Sequence, residues 1–277
     1  MDDQTTGAAQ AALWNGSAGQ AWTALQELIE QMYAPFEALL AAAVAGDDRQ
    51  VLDVGCGTGA TTMAIARQLA GRGACLGVDI SQPMIDAASA RARTGAAPAA
   101  FLCADAATHP FAPASVDLVV SRFGVMFFDD PVAAFANLRR AVRGGGRLDL
   151  IVWRGPDENP FMTVAETAAA GLLPLPPREP GAPGQFAFAD RGHVEHILEE
   201  GGWSGIGIDA LDVACSFPGH GLLPYLSRMG PVGRMLESVD ETTRSAVLRR
   251  VCAAFEPYVE GGMVRFDAAC WRVRASA

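Results

Sequence analysis

The sequence predicts an α/β fold in which a mostly parallel sheet is covered by helices. Apolar runs of strand length alternate with segments of helical spacing, which is typical of parallel strands joined by helices. The segment VLDVGCGTG at 51–59 is the strongest single signal, because its apolar residues suit a strand buried on both faces and its glycines end that strand in a tight turn. Half of the 277 residues are hydrophobic, which is enough for a sizeable core.

The first predicted unit is this strand, its glycine turn and a helix. Helical spacing begins directly after the turn, so the free N–H groups of the helix face whatever the turn holds. Gly55, Gly57 and Gly59 lack a Cβ, which lets a ligand approach the main chain. Gly55, Gly57 and Ala60 also satisfy the dinucleotide fingerprint, so the spacing alone does not choose a cofactor.

Asp53 separates the two candidate cofactors. It lies two residues before the glycines, near where the pyrophosphate of NAD would sit, and two anions would repel each other there. S-adenosylmethionine carries an ammonium and a sulfonium and has no phosphate. Asp53 therefore favours S-adenosylmethionine over NAD.

The next two predicted strands also end in an acid. Asp79 follows the run ACLGV at 74–78, where it can accept both ribose hydroxyls of either cofactor. Asp105 follows AAFLCA at 99–104, where it can accept the exocyclic amine of adenine. Each aspartate alone is explained as well by a loop or helix cap, but three acids after three strands favour a binding edge. Small or apolar neighbours placed to hold the adenine ring are Ile80, Met84 and Ala106.

These segments resemble the motifs of class I S-adenosylmethionine-dependent methyltransferases. VLDVGCGTG is similar to the family's first motif, VDIS around Asp79 to its ribose acid, and ADA around Asp105 to its adenine contact. The block at 115–148 resembles the family's fourth strand, the loop and helix after it, and the turn into the fifth strand. Within the family the chain looks closest to the ubiquinone/menaquinone-type group that acts on small molecules. One departure is the turn at 143–146, RGGG, which lacks the family's usual proline.

The resemblance implies a Rossmann-like, seven-stranded, mostly parallel sheet with an antiparallel last strand, helices on both faces and helical cap insertions. We expect N-terminal lid helices at 1–45, a cofactor-binding core at 46–155, and a flap, two more strands and a helical substrate cap at 156–277. These three parts would form one structural domain overall.

The spacing also predicts the later elements. A helix capped by Asp190 should stop at Gly201, and the proline-rich segment 172–185 should be an exposed loop that serves as a flap. The remaining predictions are a helix through 25–40, a fifth strand at 147–152, a sixth at about 206–215, helices within 222–258 and a final strand at 266–273.

The resemblance also implies a set of cofactor contacts. Backbone oxygens of Ser121 or Arg122, after the fourth strand, would hold the methionine ammonium, while Cys56 would contribute its backbone N–H. The full predicted set is Asp53, Gly55, Cys56, Gly57, Thr58, Gly59, Asp79, Ile80, Met84, Asp105, Ala106 and Ser121.

Aromatic residues predict the acceptor side of the site. The run Phe123, Met126, Phe127 and Phe128 follows the fourth strand; we expect at least two of these in the core and the rest to form an apolar wall for a flat acceptor. Trp14 and Trp22 lie on the expected lid helices, where core anchoring explains them equally well. Substrate or lid candidates are thus Trp14, Trp22, Arg122, Phe123 and Phe127. Further candidates to complete the pocket are Tyr33, Phe161, Phe186, Phe188, Tyr225 and Met229.

No general base is evident from the sequence. Methyl transfer from a sulfonium has an excellent leaving group, so alignment and exclusion of water can supply much of the acceleration. His220 is the best single candidate for a base, although a weak one. His109 reads as structural or adenine-adjacent, and His193 and His196 as parts of a solvated helix face.

Composition excludes several other classes. A net charge of −10 without basic clusters argues against a nucleic-acid partner. No apolar run reaches the roughly 18 residues needed to span a bilayer, and residues 1–10 lack signal-peptide character, so we expect a cytoplasmic protein without membrane insertion. The six cysteines lack paired spacing, which predicts neither a metal site nor a disulfide framework. A homodimer stays open.

The resulting hypothesis is an S-adenosylmethionine-dependent methyltransferase that acts on a small apolar or aromatic metabolite through an oxygen, carbon or nitrogen acceptor. One alternative keeps the cofactor but catalyses a cyclisation or rearrangement without methyl transfer. An NAD-linked oxidoreductase is a second alternative, which Asp53 disfavours, and a pure binding protein is a third.

Overall fold

One mixed sheet runs through the residues that the computed structural model describes, which are 3–94, 99–179 and 181–277. Within them it has eight strands in the order β3-β2-β1-β4-β5-β8-β6, with β7 paired to β8. The strands are β1 (Gln50–Val54), β2 (Ala74–Asp79), β3 (Ala99–Cys103), β4 (Val116–Arg122), β5 (Val142–Trp153), β6 (Ser204–Pro218), β7 (Val259–Glu260) and β8 (Met263–Ser276).

The strand directions confirm the predicted topology. β1 is parallel to β2 and β4, β2 is parallel to β3, and β4 is parallel to β5, whereas β8 is antiparallel to both β5 and β6. The seven predicted strands are all present, and the two-residue β7 is an addition. Because the strand order reverses between β1 and β4, a ligand crevice is expected at the carboxyl ends of these two strands.

Helices surround the sheet and cover its parallel strands. Residues 51–54 of β1 and 116–121 of β4 are buried, as expected for strands covered on both faces. No helix among the described residues is long and apolar enough to cross a membrane. The helices are α1 (Asp3–Asn15), α2 (Ser17–Ala24), α3 (Gln26–Ala41), α4 (Ala60–Leu69), α5 (Gln82–Thr94), α6 (Pro131–Ala141), α7 (Pro160–Ala169), α8 (Arg191–Glu200), α9 (Leu222–Leu226), α10 (Gly230–Met235) and α11 (Glu241–Ala254).

The sequence predicts the start of α8 more accurately than the turn that follows its end. Asp190 caps the helix as predicted, because its Oδ1 accepts the His193 N–H at 2.7 Å. The helix does end before Gly201, but Gly201 keeps right-handed helical torsions, and the left-handed residue is Gly202 with φ of +81°. The chain therefore turns one residue later than the sequence suggests.

The last three long strands exceed their predicted bounds. β5 begins at Val142, so the predicted turn at 143–146 belongs to the strand, with a register shift against β4 and a left-handed Gly145. In β6, the segment 212–218 pairs with 263–269 of β8 beyond the point where Trp153 ends β5. This hairpin stands past the carboxyl edge of the sheet, and its inner face carries Val213, Cys215 and Phe217, which are buried. The ends of these strands contain polar and glycine residues, which are not typical of strands, so the sequence predicts them too short.

The predicted flap segment has the irregular backbone that the sequence indicates. Residues 174–179 and 181–185 contain no helix or strand, as predicted, while residue 180 of the predicted flap lies outside the described residues. The Gly184 N–H donates to the Met126 carbonyl at 3.0 Å and ties this loop to the segment after β4. All six cysteines are free.

Candidate active site

Two loops meet backbone to backbone at the carboxyl ends of β1 and β4. Gly55 has φ of +67°, and a Cβ on it would lie 2.5 Å from the Gly124 Cα, so a side chain on Gly55 would force the loops apart. Ser121 fixes the same junction through its buried hydroxyl, which donates to the Val54 carbonyl at 2.7 Å and accepts the Gly124 N–H at 3.1 Å. The Ser121 side chain therefore shapes the crevice.

The glycine loop is held by hydrogen bonds from its own amides. The N–H groups of Gly55 and Cys56 both donate to the Val78 carbonyl, at 2.8 and 3.1 Å. The Gly57 N–H donates to Asp79 Oδ2 at 2.8 Å. The Cys56 N–H, predicted as a cofactor contact, thus has a partner within the fold, and its thiol is buried. These three amides hold the loop in shape and are therefore not free to donate to a phosphate.

Asp79 organises the end of β2. In addition to the Gly57 N–H, its carboxylate accepts the Ser81 N–H through Oδ1 at 2.9 Å. Burial raises the pKa of Asp79 above its usual value, while these backbone bonds lower it. Each carboxylate oxygen has a further lone pair, so the geometry leaves acceptor capacity for two ribose hydroxyls.

Asp53 is a buried carboxylate with one unused oxygen. The residue is 1% exposed, and its Oδ2 accepts the Thr62 hydroxyl at 2.6 Å. Its Oδ1 is buried and has no hydrogen-bond partner among the described residues. Burial raises the pKa of Asp53 to about 7. A buried carboxylate is costly unless it meets a cation or donors, so this site fits a ligand that carries positive charge.

The predicted adenine side is built around a turn after β3. Asp105 Oδ1 accepts the Ala107 N–H at 2.9 Å and its Oδ2 accepts the Thr108 hydroxyl at 3.2 Å, so the carboxylate shapes that turn. Ala106 and Met84 are buried and Ile80 is half-buried. The nearby His109 ring packs edge-on against Phe111 at 4.7 Å. The adenine contacts stay predictions.

The end of α1 docks on the loop after β2. The Asn15 side chain donates to the Ile80 carbonyl at 3.1 Å and accepts the Gln82 N–H at 2.9 Å, while the Ser81 hydroxyl donates to the Trp14 carbonyl at 2.6 Å. The half-buried Trp14 ring makes edge contacts with Trp22 at 6.4 Å and with Phe127 at 5.1 Å. These rings connect the first helices to the segment after β4, as a lid would.

A second link between the N-terminal helices and the glycine loop was missed from the sequence. The Arg91 guanidinium on α5 forms two hydrogen bonds with the Glu30 carboxylate on α3, one of them at 2.9 Å, and donates to the Thr58 carbonyl at 2.6 Å. The Thr58 hydroxyl lies 3.4 Å from Glu30 Oε1. We call these three residues the clasp. Glu30 was overlooked because only the apolar face of its helix was read as informative.

The segment after β4 is strained and pinned. Phe123 has φ of +66°, a left-handed conformation that is unfavourable for a residue with a side chain. Its buried ring stacks on Trp153 at 4.5 Å. Arg122 pairs with Glu37 at 3.1 Å, and its guanidinium lies 5.6 Å from the centre of the Tyr33 ring. Burial raises the pKa of Glu37 despite this pairing. Two of the four predicted wall residues, Phe123 and Met126, are buried in the core.

Six aromatic rings gather between the hairpin and the C-terminal helices. Phe161 is the centre of this aromatic cluster: its ring stacks on Phe266 at 3.8 Å and meets Phe255 edge-on at 5.1 Å. The structure does not bring all predicted pocket residues here, because Phe188 instead packs 6.1 Å from Phe135 and Phe186 lies under Arg178. The aromatic cluster consists of Phe161, Phe217, Tyr225, Phe255, Tyr258 and Phe266.

The histidines stay at the surface. His220 is exposed in a short turn at 219–221, where it lines one groove with 23–28 and another with residues of α11. His193 and His196 are exposed on α8, as expected. A catalytic role for His220 stays a prediction.

Comparison with known proteins agrees with this geometry. The methyltransferase domain family matches residues 51–146, which run from β1 into β5 and include the glycine loop, Asp79, Asp105 and Ser121. The N-terminal helices and the aromatic cluster lie outside the match.

Two relatives with known names are also similar to part of this chain. Aklanonic acid methyltransferase DauC from Streptomyces sp. (strain C5) is 35% identical over 100 residues, covering 36% of this chain and 46% of that protein. Demethylmenaquinone methyltransferase from Lactiplantibacillus plantarum is 32% identical over 127 residues, covering 45% of this chain and 54% of that protein. The match therefore spans about half the length of these relatives.

The fold is shared over a larger span. The crystal structure of the YcgJ protein from Bacillus subtilis superposes with a TM-score of 0.56 at 15% identity, covering 88% of this chain and 98% of that chain. The chain therefore carries a methyltransferase domain at residues 51–146.

Proposed function

We propose that the protein transfers the methyl group of S-adenosylmethionine to a small apolar or aromatic acceptor. The observation that carries the proposal is the buried, unpartnered Oδ1 of Asp53 beside the glycine loop, which suits a cationic ligand. The cofactor contacts that we propose are Asp53, Gly55, Cys56, Gly57, Thr58, Gly59, Asp79, Ile80, Met84, Asp105, Ala106 and Ser121.

The protein's part in the reaction is to bind, align and exclude water. When bound, S-adenosylmethionine supplies a methyl group on a sulfonium, which is an excellent leaving group. Asp79 would hold the ribose, Asp53 would face the cationic part, and Trp14 with the clasp would close the crevice against solvent. This division of roles needs no base among the cofactor contacts.

The acceptor atom is not carried over from the relatives. Their names give two different acceptors, aklanonic acid and demethylmenaquinone. The segment that matches the methyltransferase domain family ends at residue 146, before the aromatic cluster. The aromatic surroundings of the crevice support an apolar or aromatic acceptor. Oxygen, carbon and nitrogen acceptors all remain open, and we assign no general base.

Charge and loop geometry favour this function over an NAD-linked one. Asp79 and Glu37 both raise the pKa of Asp53, so the crevice is acidic around that carboxyl group. The amides of Gly55, Cys56 and Gly57 already donate within the fold, whereas a pyrophosphate needs such donors. A cyclisation or rearrangement that uses the same cofactor would share the binding site, so only the product distinguishes it from methyl transfer.

The net charge of −10 supports a small-molecule acceptor over a nucleic acid. We also propose a cytoplasmic location without membrane insertion. A homodimer is one assembly that the protein could form.

The test is mass spectrometry of the protein incubated with S-adenosylmethionine and a panel of phenols, quinols and amines. We expect one added methyl group on at least one panel member and formation of S-adenosylhomocysteine, with neither in the Asp79→Ala variant. Binding of the cofactor with conversion of an acceptor to an isomer of unchanged mass would instead support the non-methylating alternative.

A further inference from the structure

Tyr33 carries a hydroxyl that has no partner in the described part of the structure. The residue is 7% exposed, and its hydroxyl makes no hydrogen bond with any residue that the structure describes. The oxygen is not among the fully enclosed side-chain atoms that lack a partner, so it remains accessible to a ligand. A hydroxyl in this state is a candidate for binding a ligand.

The ring of Tyr33 is fixed beside the crevice. It makes edge contacts with Phe123 at 5.4 Å and with Trp153 at 6.2 Å, the residues at the carboxyl ends of β4 and β5. The Arg122 guanidinium, held by Glu37, lies 5.6 Å from the ring centre. Rotation of the ring away from the crevice is therefore opposed by its neighbours.

The groups that act on the Tyr33 hydroxyl come from β6, β8 and the aromatic cluster, together with the Arg122 guanidinium. Burial raises the pKa of Tyr33 well above its usual value, and Tyr225 and then Cys215 raise it further. Cys215 faces inward from β6, and Tyr225 belongs to the aromatic cluster, so Tyr33 lies between the strand ends and that cluster.

We propose that the Tyr33 hydroxyl donates a hydrogen bond to a carbonyl or hydroxyl oxygen of the acceptor, and so selects flat apolar acceptors that carry oxygen. The proposal rests on the proposed function and narrows its acceptor class. Because the phenol stays protonated near neutral pH, Tyr33 acts as a binding residue that donates a proton in a hydrogen bond and does not act as a base.

The matching substitution is Tyr33→Phe, which removes the hydroxyl and keeps the ring contacts. Since the hydroxyl has no partner in the fold, we expect this variant to unfold at the same temperature as the wild type or slightly above it. A hydroxyl with a purely structural role would lower that temperature. Tyr258→Phe is the control, because Tyr258 is a half-buried tyrosine whose ring contacts are with Phe161 and Phe255 of the aromatic cluster.

The test measures binding of three probes by equilibrium dialysis with saturating S-adenosylhomocysteine: 1-naphthol, 1-acetylnaphthalene and naphthalene. We expect the wild type and Tyr258→Phe to bind the two oxygen-bearing probes about threefold to tenfold more tightly than naphthalene. In Tyr33→Phe this preference should vanish, while affinity for naphthalene and for S-adenosylhomocysteine stays unchanged.

Three results would overturn the proposal. The first is that Tyr33→Phe prefers the oxygen-bearing probes over naphthalene as strongly as the wild type does. The second is that the wild type shows no such preference, and the third is that the wild type binds none of the probes. Binding of S-adenosylhomocysteine alone is measured first, because its failure would remove the proposed function itself, whereas the three results above leave that function standing.

Discussion

The cofactor edge and the aromatic cluster are built from different kinds of contact. The cofactor edge, residues 53–59, 79–84 and 121–124, is held by backbone hydrogen bonds and by short contacts such as that between Gly55 and Gly124. The aromatic cluster is held by rings that lie far apart in the chain, such as Phe161 and Phe266 at 3.8 Å. Backbone geometry restricts the sequence at the edge, while many ring arrangements can fill the same volume in the cluster. The sequence therefore predicts the cofactor more readily than it predicts the acceptor.

Loss of the Phe161 ring should give the largest effect on stability, and it should arise in the aromatic cluster alone. Phe161→Ala removes a ring that is 2% exposed and contacts the other five members of the aromatic cluster. We expect the free energy of unfolding to fall by about 3–5 kcal/mol. Denaturant unfolding measures this loss, and Phe186→Ala, at a half-buried ring outside the cluster, should cost less. An unchanged midpoint for Phe161→Ala would show that the cluster is not a packed unit.

Asp79→Ala should have the largest effect at the cofactor edge. The change removes the acceptor for the Gly57 and Ser81 amides together with the proposed ribose acceptor. We expect affinity for S-adenosylmethionine to fall below detection by calorimetry, a loss of more than about a hundredfold. Asp86→Ala is the control, because Asp86 is exposed on α5. Wild-type affinity in a folded Asp79→Ala variant would refute the ribose assignment.

Asp53 predicts how cofactor binding depends on pH. Its carboxyl has a pKa of about 7 in the folded protein, so it loses its charge as the pH falls through 7. Attraction for a cationic ligand should weaken in the same range. We expect Asp53→Asn to bind S-adenosylmethionine about tenfold more weakly at pH 8 and to approach the wild type at pH 6. Comparing the two proteins cancels the titration of the ligand, and a ratio that does not change with pH would contradict the role of Asp53.

The same group has the opposite effect on the free protein. Because burial raises the folded-state pKa of Asp53 above its unfolded value of 3.8, the folded state retains a proton that the unfolded state has lost. The contribution of Asp53 to stability is therefore present at low pH and is lost as the pH rises to about 7. Thermal unfolding between pH 5 and pH 8 should show a smaller decline for Asp53→Asn than for the wild type.

The clasp should give the smallest effect. The Arg91 and Glu30 side chains keep 29% and 23% of their exposure, so solvent screens their attraction. Arg91→Met should weaken S-adenosylmethionine binding by about threefold, mainly through faster dissociation as α3 loosens from Thr58. Stopped-flow displacement measures this rate, with Arg93→Met at an exposed position of the same helix as the control. Equal dissociation rates in the two variants would show that the clasp does not slow release of S-adenosylmethionine.

Most of the fold was predictable from the sequence, for physical reasons visible in particular residues. Val51, Leu52 and Val54 require a strand buried on both faces, and positive φ at Gly55, Gly57 and Gly59 requires glycine. The mostly parallel sheet with an antiparallel last strand followed from the resemblance and is confirmed. Strand ends were the weakest predictions, since pairing in β6 and β8 continues through Ser216 and Pro218, which carry no strand signal.

The site was predictable only in part. Local sequence identified Asp53 and Asp79 but gave no sign that Oδ1 of Asp53 lacks a partner, because that depends on tertiary burial. The pairing of Glu30 with Arg91 joins α3 to α5, and no local rule links residues so far apart. The sequence also offered no means of grouping the aromatic residues, since Phe188 packs on Phe135 and not in the aromatic cluster.

The most direct test of the central claim is a calorimetric titration of the wild-type protein with S-adenosylmethionine and, separately, with NAD at pH 8. The account predicts saturable binding of S-adenosylmethionine at one site per chain and no binding of NAD, because the buried acid at Asp53 attracts a cation and repels a pyrophosphate. Binding of NAD without binding of S-adenosylmethionine would contradict it.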